Sequence, residues 1–275
     1  MTLVNSIAYN EGMRDTSKRD TSKRRERILS LLREQGSVQV DKLAGTFRVS
    51  SQTIRQDLNF LAKIGTAARS YGGAVLRDAQ NPASEAALET KRRLFSSEKS
   101  SIGKAAAALI HAGDSLILDS GTTTLQIAAN LPNGVDMTVV TNDLAIANEL
   151  AGREGLQLLM LGGALRRQNM SLFGTQAERA VQELSVDKLF LGVDGFDMQK
   201  GVTTHFEAEA ILNRMMCDAA AEIIVVTDSS KFGKVCLHRI IEPARISKLI
   251  TDEGVGSDVM EELAKHGVEV IRAGR

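Results

Sequence analysis

The chain is 275 residues long, 43% hydrophobic and 25% charged, a balance that allows a sizeable core in more than one unit and excludes a chain disordered throughout. No apolar run approaches the roughly 20 residues of a membrane helix, and the polar N-terminus lacks the apolar stretch of a secretion signal, so a cytoplasmic location is expected. Net charge is zero, yet residues 1–75 hold 13 Lys+Arg against 7 Asp+Glu while the remainder holds 21 against 27. A basic head on an acidic body is the layout of a nucleic-acid module joined to something else.

Residues 1–22 are polar and without apolar period, so they read as a disordered tail. From Arg24 the spacing of Ile28, Leu31 and Leu32 predicts a helix that Gly36 stops. Val40, Leu43, Ala44 and Phe47 predict a second, two-turn helix. Ser50 is placed as the N-cap of a third, SQTIRQDLNFLAKIG, which buries Ile54, Leu58 and Leu61 and closes at Gly65. Two helices joined by a tight turn, the second with a polar outer face, form a helix-turn-helix layout. Ser50, Ser51, Gln52, Thr53, Arg55 and Gln56 suit base edges and phosphates, since Arg can fork onto guanine and Gln onto adenine. TAARSYGGAVL predicts a hairpin wing that offers Arg69 to a phosphate or the minor groove. Asp57 would repel phosphate and reads as structural. The competing reading, a three-helix bundle with a solvated face, is weakened by the segment's basic charge. The DNA-binding domain is thus placed at 23–78.

Residues 79–97 contain Pro82, many small residues and no apolar period, so they read as a linker, partly helical around Ala86–Arg93. From residue 98 to 275, short β-rich runs alternate with helices: strands SLILDS, MTVVTN, LQLLML, KLFLGVDG, EIIVVTDSS, KLITDE and VEVIR. That alternation predicts an α/β unit whose largely parallel sheet is covered on both faces.

Ligands bind such sheets at the carboxyl ends of the strands. Polar residues gather there: Asp119, Ser120, Gly121, Thr122, Thr123 and Thr124, then Asn142, Gly162, Gly163, Asp194 and Lys231. The Ser-Gly-Thr-Thr-Thr turn suits an anion, because glycine admits close backbone approach and a helix start offers unpaired N–H groups. Lys231 adds a point charge. The turn is neither a Walker loop nor a dinucleotide fingerprint. Helix caps without a ligand are the competing reading, outweighed by the convergence of five segments. Asp194 and Glu207 are either ligand contacts or caps, and Glu209 the lesser candidate. With two cysteines and four scattered histidines, no metal or cofactor is expected. Met215, Met216 and Cys217 read as packing, and Arg166-Arg167 as an exposed loop pair.

Taken in order, VSSQTIRQDLNFL, YGGAVL, DSGTTT, TN, GG, GVDG and TDSSKF resemble the DeoR family of bacterial transcriptional regulators over residues 23–275, most nearly its repressors of amino-sugar utilisation such as that of N-acetylgalactosamine. The resemblance implies a winged helix-turn-helix followed by a Rossmann-like α/β/α sensor of the sugar-phosphate isomerase type. It also implies operator DNA as partner, a phosphorylated sugar, possibly aminated, as effector, and a dimer or tetramer of the chain. Gln56 stands where the family often has a second arginine and Tyr71 where it often has histidine. The expected function is a sugar-phosphate-responsive repressor and not an enzyme. An isomerase or deaminase with an added DNA-binding head, and an activator of the same architecture, are the alternatives.

Overall fold

A computed structural model describes residues 21–32, 35, 37–63, 66–70, 72–76 and 88–274. Contacts divide the chain into two units, Met1–Asn81 and Pro82–Arg275. The expected tail, 1–22, lies outside the described residues except for 21 and 22, which are helical. The expected stops at Gly36 and Gly65, and Tyr71, also lie outside them.

In the first unit, α1 (21–32) buries Ile28 and Leu32, α2 (Val40–Phe47) buries Val40 and Leu43, and α3 (Ser51–Lys63) buries Ile54, Leu58 and Leu61. Each stripe repeats at three or four residues, which puts it on one helix face. The three stripes share one core with Val38, Ala67 and Ala74. Strands β1 (Ser37–Gln39), β2 (Ala67–Ser70) and β3 (Gly73–Leu76) pair antiparallel in the order β1-β3-β2. The wing turn requires its glycines: Gly72 has φ +71°, and a Cβ at Gly73 would lie 2.1 Å from the Val38 carbonyl oxygen. Strand β1, three residues long, has no signal in the sequence. The unit is a winged helix-turn-helix.

The second unit opens with α4 (Leu88–Arg93), inside the expected linker, and α5 (Ser96–Ala107). Then follow β4 (Ser115–Leu118), α6 (Thr122–Asn130), β5 (Met137–Thr141), α7 (Leu144–Leu150) and β6 (Leu156–Met160). A hairpin, β7 (Ala164–Arg166) and β8 (Ser171–Phe173), precedes α8 (Thr175–Gln182) and β9 (Val186–Gly192). Next come β10 (Gly195–Asp197), β11 (Gly201–Thr204), α9 (Glu207–Ala219), β12 (Ala220–Val226) and β13 (His238–Ile241). The chain closes with β14 (Lys248–Asp252), α10 (Ser257–Lys265) and β15 (Glu269–Ala273).

Seven strands form one parallel sheet in the order β15-β14-β12-β9-β4-β5-β6. Alternate residues feed two separate cores. Leu116, Leu118, Val139, Phe190, Ile224 and Ile250 pack with Ile102, Ile127 and Ile146 from α5, α6 and α7. Ile117, Val140, Leu189, Leu191, Val225 and Leu249 pack with Val181, Met216 and Leu263 from α8, α9 and α10. This is the three-layer α/β/α expected of strands buried on both faces. The chain steps outward from β4 to β5 and β6, then returns to β9 and steps the other way. The direction reverses between β4 and β9, so the crevice for a ligand opens beyond their carboxyl ends. The hairpin and a three-stranded antiparallel sheet, β10-β11-β13, are additions whose short strands the sequence reading took for loops.

Helices α5 and α6 meet through Gly103, where a Cβ would lie 2.5 Å from Gln126 Cβ and 2.6 Å from its carbonyl carbon. Gly103→Val forces the two helices apart, and the expected loss is about 1–3 kcal/mol of stability in the second unit, read by chemical denaturation.

Candidate DNA-binding face and effector seat

On α3, Gln52, Arg55, Gln56 and Asn59 are exposed, as the stripe of buried residues dictates. The hydroxyl residues at its start build the turn. Ser50 Oγ accepts from Thr53 N at 3.1 Å and lies 2.9 Å from the Thr53 hydroxyl, the N-cap arrangement expected of Ser50. Ser51 Oγ donates to Asp41 Oδ1 at 3.0 Å, tying α3 to α2. In the DNA-free chain the Ser51 hydroxyl proton is therefore directed at Asp41. Gln52, Arg55 and Gln56 remain as the expected residues of the helix with free reach.

Asp57 is buried at 1% exposure and accepts from Arg24 Nε at 2.6 Å and Arg25 Nε at 2.7 Å. Its structural reading stands, and two basic residues of the head serve the fold. Arg25 also stacks 3.9 Å over the exposed Phe60 ring. Arg69 is exposed on β2, and its guanidinium is held below its ordinary value by partial burial and by the like charge of Arg55. Recognition helix and wing thus bring two guanidiniums into mutual repulsion, which a polyanion relieves.

The second unit's seat lies at the β4/β9 reversal. Asp119, at 1% exposure, accepts from Ser120 N at 2.7 Å, Gly192 N at 3.2 Å and Asn213 Nδ2 at 3.3 Å. Burial, and then the charge of Glu209, push its carboxyl well above the usual range. Asp119 therefore fastens β4 to β9 and α9. The Ser120 hydroxyl is buried with no hydrogen-bond partner among the described residues. Such a group points to a ligand. Gly121 caps α6, and its N–H is drawn to Asp143 Oδ2 at 3.2 Å. Asp143 also caps α7 through Ala145 N and Ile146 N, and burial raises its carboxyl. Helix geometry leaves the amides of Thr122, Thr123 and Thr124 without intrahelical partners. Thr122 is half-buried, Thr123 buried, and Thr124 donates its hydroxyl to the Gly121 carbonyl at 3.0 Å, bracing the loop.

Asn142 donates to the Leu172 carbonyl at 3.0 Å and accepts Leu172 N on its own carbonyl at 2.7 Å, so it docks the β7–β8 hairpin. Gly162 and Gly163 form the exposed turn into that hairpin, beyond edge strand β6. Gly163 has φ +118°, and a Cβ there would lie 2.3 Å from the Phe173 carbonyl oxygen. Asn142 Oδ1, like the Ser120 hydroxyl, is buried with no hydrogen-bond partner among the described residues. Glu207 is exposed, whereas Glu209 accepts from Arg166 at 3.2 Å and from the Thr204 hydroxyl at 3.2 Å. Arg166 is partly buried, not an exposed loop residue as expected, with its guanidinium 4.5 Å from the Phe206 ring centroid.

Asp194 accepts from Lys91 Nζ at 2.8 Å and from Thr204 Oγ1 at 3.1 Å. Burial works to raise its carboxyl, but Lys91 and Lys231 together hold it well below the usual range. Lys231 follows a 3-10 turn, Ser229–Lys231, pinned by Asp228 to Ser230 N and by Asp252 to Ser229 N and Oγ. Lys231 has no ion pair among the described residues. Two further lysines join it. Burial pushes Lys99 down to about 8, opposed by Asp228 and assisted by Lys231 and Lys91. Burial and then Lys231 push Lys234 down to about 8. Four ammonium groups thus lie among three carboxylates, Asp194, Asp228 and Glu98, and the remaining positive charge suits an anion. The sequence carried Lys231 beside a strand end, but no period marks Lys91, Lys99 or Lys234.

Two family models match: the DeoR-like helix-turn-helix domain over residues 24–80 and the DeoR C terminal sensor domain over residues 95–253. The chain belongs to the DeoR family. It is 51% identical to a putative aga operon transcriptional repressor of Escherichia coli O157:H7, over 92% of this chain and 94% of the relative. It is 28% identical to the glycerol-3-phosphate regulon repressor of Escherichia coli K12, over 90% and 98%. Among solved structures, ribose 5-phosphate isomerase A of Methanocaldococcus jannaschii aligns with 51% of this chain and 56% of its own, at 18% identity and a TM-score of 0.38. A likeness of that size carries no argument. As a DeoR-family protein the chain is a DNA-binding transcriptional regulator.

Arg55→Ala and Arg69→Ala are each expected to weaken binding to a DNA fragment from upstream of the protein's own gene. A lost base contact is worth roughly 1–3 kcal/mol, and a lost phosphate contact lowers the salt slope by about one. Fluorescence anisotropy across a salt series separates the two, and a double variant reports how far the guanidiniums act together.

Proposed function

We propose that the protein is a cytoplasmic repressor of a carbohydrate-utilisation operon whose hold on operator DNA is set by a phosphorylated sugar, with an amino-sugar phosphate as the favoured class. What supports this reading is the gathering of Lys91, Lys99, Lys231 and Lys234 around Asp194 and Asp228, together with the unpartnered Ser120 hydroxyl just before α6. A phosphate draws on Lys231, the first amides of α6 and the Thr122 hydroxyl. Asp194, Thr204 and Glu209 offer polar groups to the sugar. The names of the aga operon and glycerol-3-phosphate regulon repressors support a sugar-related regulon and a phosphorylated effector.

Sensing is favoured over turnover by the state of the acids. Asp119 is fully engaged by Ser120, Gly192 and Asn213, and Glu209 is paired with Arg166. Neither is free to shuttle a proton between two sugar carbons. Lys231→Ala and Thr122→Val should keep operator affinity while weakening the response to hexosamine 6-phosphate, by about tenfold for Lys231, since a charge-assisted hydrogen bond contributes roughly 1.5–3 kcal/mol. The measurement is titration of preformed protein–DNA complex. A normal response from Lys231→Ala removes the phosphate role, and product formation by the wild type restores the isomerase or deaminase reading.

Self-association completes the reading. Strand β6 ends the sheet with one unpaired edge, and Leu159, Met160, Leu165 and Met170 are exposed on it and on the adjoining hairpin. Two-fold pairing there covers an edge that is otherwise a liability and presents two heads to paired half-sites. Sedimentation of the whole chain is expected to give a dimer or tetramer, and Leu159→Lys a smaller species.

A further inference from the structure

Helix α4 is six residues long and buries none of them. A helix that short is not stable alone, so its place depends on what holds it. It lies beside α6, whose first turn is the anion seat. Among the described residues, three features fasten it besides its packing on α6. Lys91 Nζ reaches Asp194 Oδ1 at 2.8 Å, with the two side chains 19% and 10% exposed. Lys99 Nζ, from the buried face of α5, donates to the carbonyls of Lys91 at 2.5 Å and Leu94 at 2.7 Å, which are end carbonyls of α4. Phe95, buried at 5% exposure, links α4 to α5 with a left-handed φ of +54°, a conformation that a side chain tolerates only when its surroundings impose it.

Resting on the effector reading above, we propose that Lys91 is a built-in surrogate for the effector: its ammonium occupies the acceptor of Asp194 that a sugar hydroxyl or amine takes, and arrival of the sugar phosphate displaces it and frees α4. The exchange is permitted electrostatically. Lys231 acts on the Asp194 carboxylate from beyond ion-pair distance, so departure of Lys91 leaves that carboxylate near a cation and with the Thr204 hydroxyl. An incoming donor then satisfies the vacated oxygen. No residue of α4 is fully buried, which limits the apolar surface exposed when Lys91 leaves. The chain continues from α4 through residues 77–87 to the wing, so the segment released is the one covalently joined to the DNA-binding unit. The device needs an effector with a hydrogen-bond donor several bonds from its phosphate, which inorganic phosphate lacks. Sugar phosphates with a hydroxyl or amine facing Asp194 meet it.

Hydrogen–deuterium exchange of the full chain tests this directly. Lys91→Met and Asp194→Asn should speed exchange across residues 88–95 about tenfold, the effect of losing one charged hydrogen bond on local opening. Exchange in β4 and β9 should stay as in the wild type, which reports that the fold is intact. Glucosamine 6-phosphate or galactosamine 6-phosphate at saturation should speed the same segment in the wild type, inorganic phosphate should not, and Lys91→Met should shift operator affinity in the direction that the sugar phosphate shifts the wild type. Unchanged exchange at 88–95 in both variants overturns the latch. Calorimetric binding of a sugar phosphate with unchanged or slower exchange there overturns the displacement while leaving the effector reading intact. Failure of every sugar phosphate to bind overturns the effector reading and the proposal with it.

Discussion

The second unit depends on one buried carboxyl. Where the sheet reverses direction, β4 and β9 run side by side but their following loops diverge, and the crevice between them has to be held at a fixed width. Asp119 does this from the end of β4, taking N–H groups from Ser120 and Gly192 and the amide of Asn213. Its own N–H donates to the Phe190 carbonyl at 3.1 Å. Three donors offset the cost of burying the group, although its raised pKa shows that the offset is incomplete.

Burial and alternation made most of this architecture legible in the residues. Leu116, Ile117 and Leu118 go to opposite cores in turn, as do Leu189, Phe190 and Leu191, so a run of apolar residues announced a strand buried on both faces. The helix-turn-helix was legible through its stripes and the Ser50 cap. The loop after β4 was legible as a helix start, since glycine and hydroxyl residues between strand and helix favour a cap, and Gly121 caps α6. Asp57 was legible as structural because an acid on a DNA-facing helix has to be satisfied inward.

What escaped was whatever lacks a period. Strands of three or four residues, such as β1, β7 and β10, offer too few alternations to distinguish them from turns. Lys91 sits in a stretch of small and charged residues, and its partner Asp194 lies 103 positions away. Charge pairs across that separation leave no local trace. Glu207 and Glu209 differ by two residues on a helix, about 200° around its axis, so one faces out when the other faces in. Only the placement of Arg166 and Thr204 decides which, and both come from elements that the sequence did not reveal as strands.

The two binding regions share a physical logic that the zero net charge conceals. In each, like charges are held closer than they would settle in water: Arg55 with Arg69 in the first unit, Lys231 with Lys99 and Lys234 in the second. The fold sustains that repulsion, and an anion relieves it, so both regions are poised for phosphate. What keeps them from competing for the same partner is access and background charge. The guanidiniums stand on an exposed helix and wing within a head of net positive charge, where a duplex can lie along them. The ammonium groups sit in a net negative body, which repels a long polyanion. Segregating basic and acidic residues between the two units therefore directs a duplex to the head, where the background charge adds to the exposed guanidiniums.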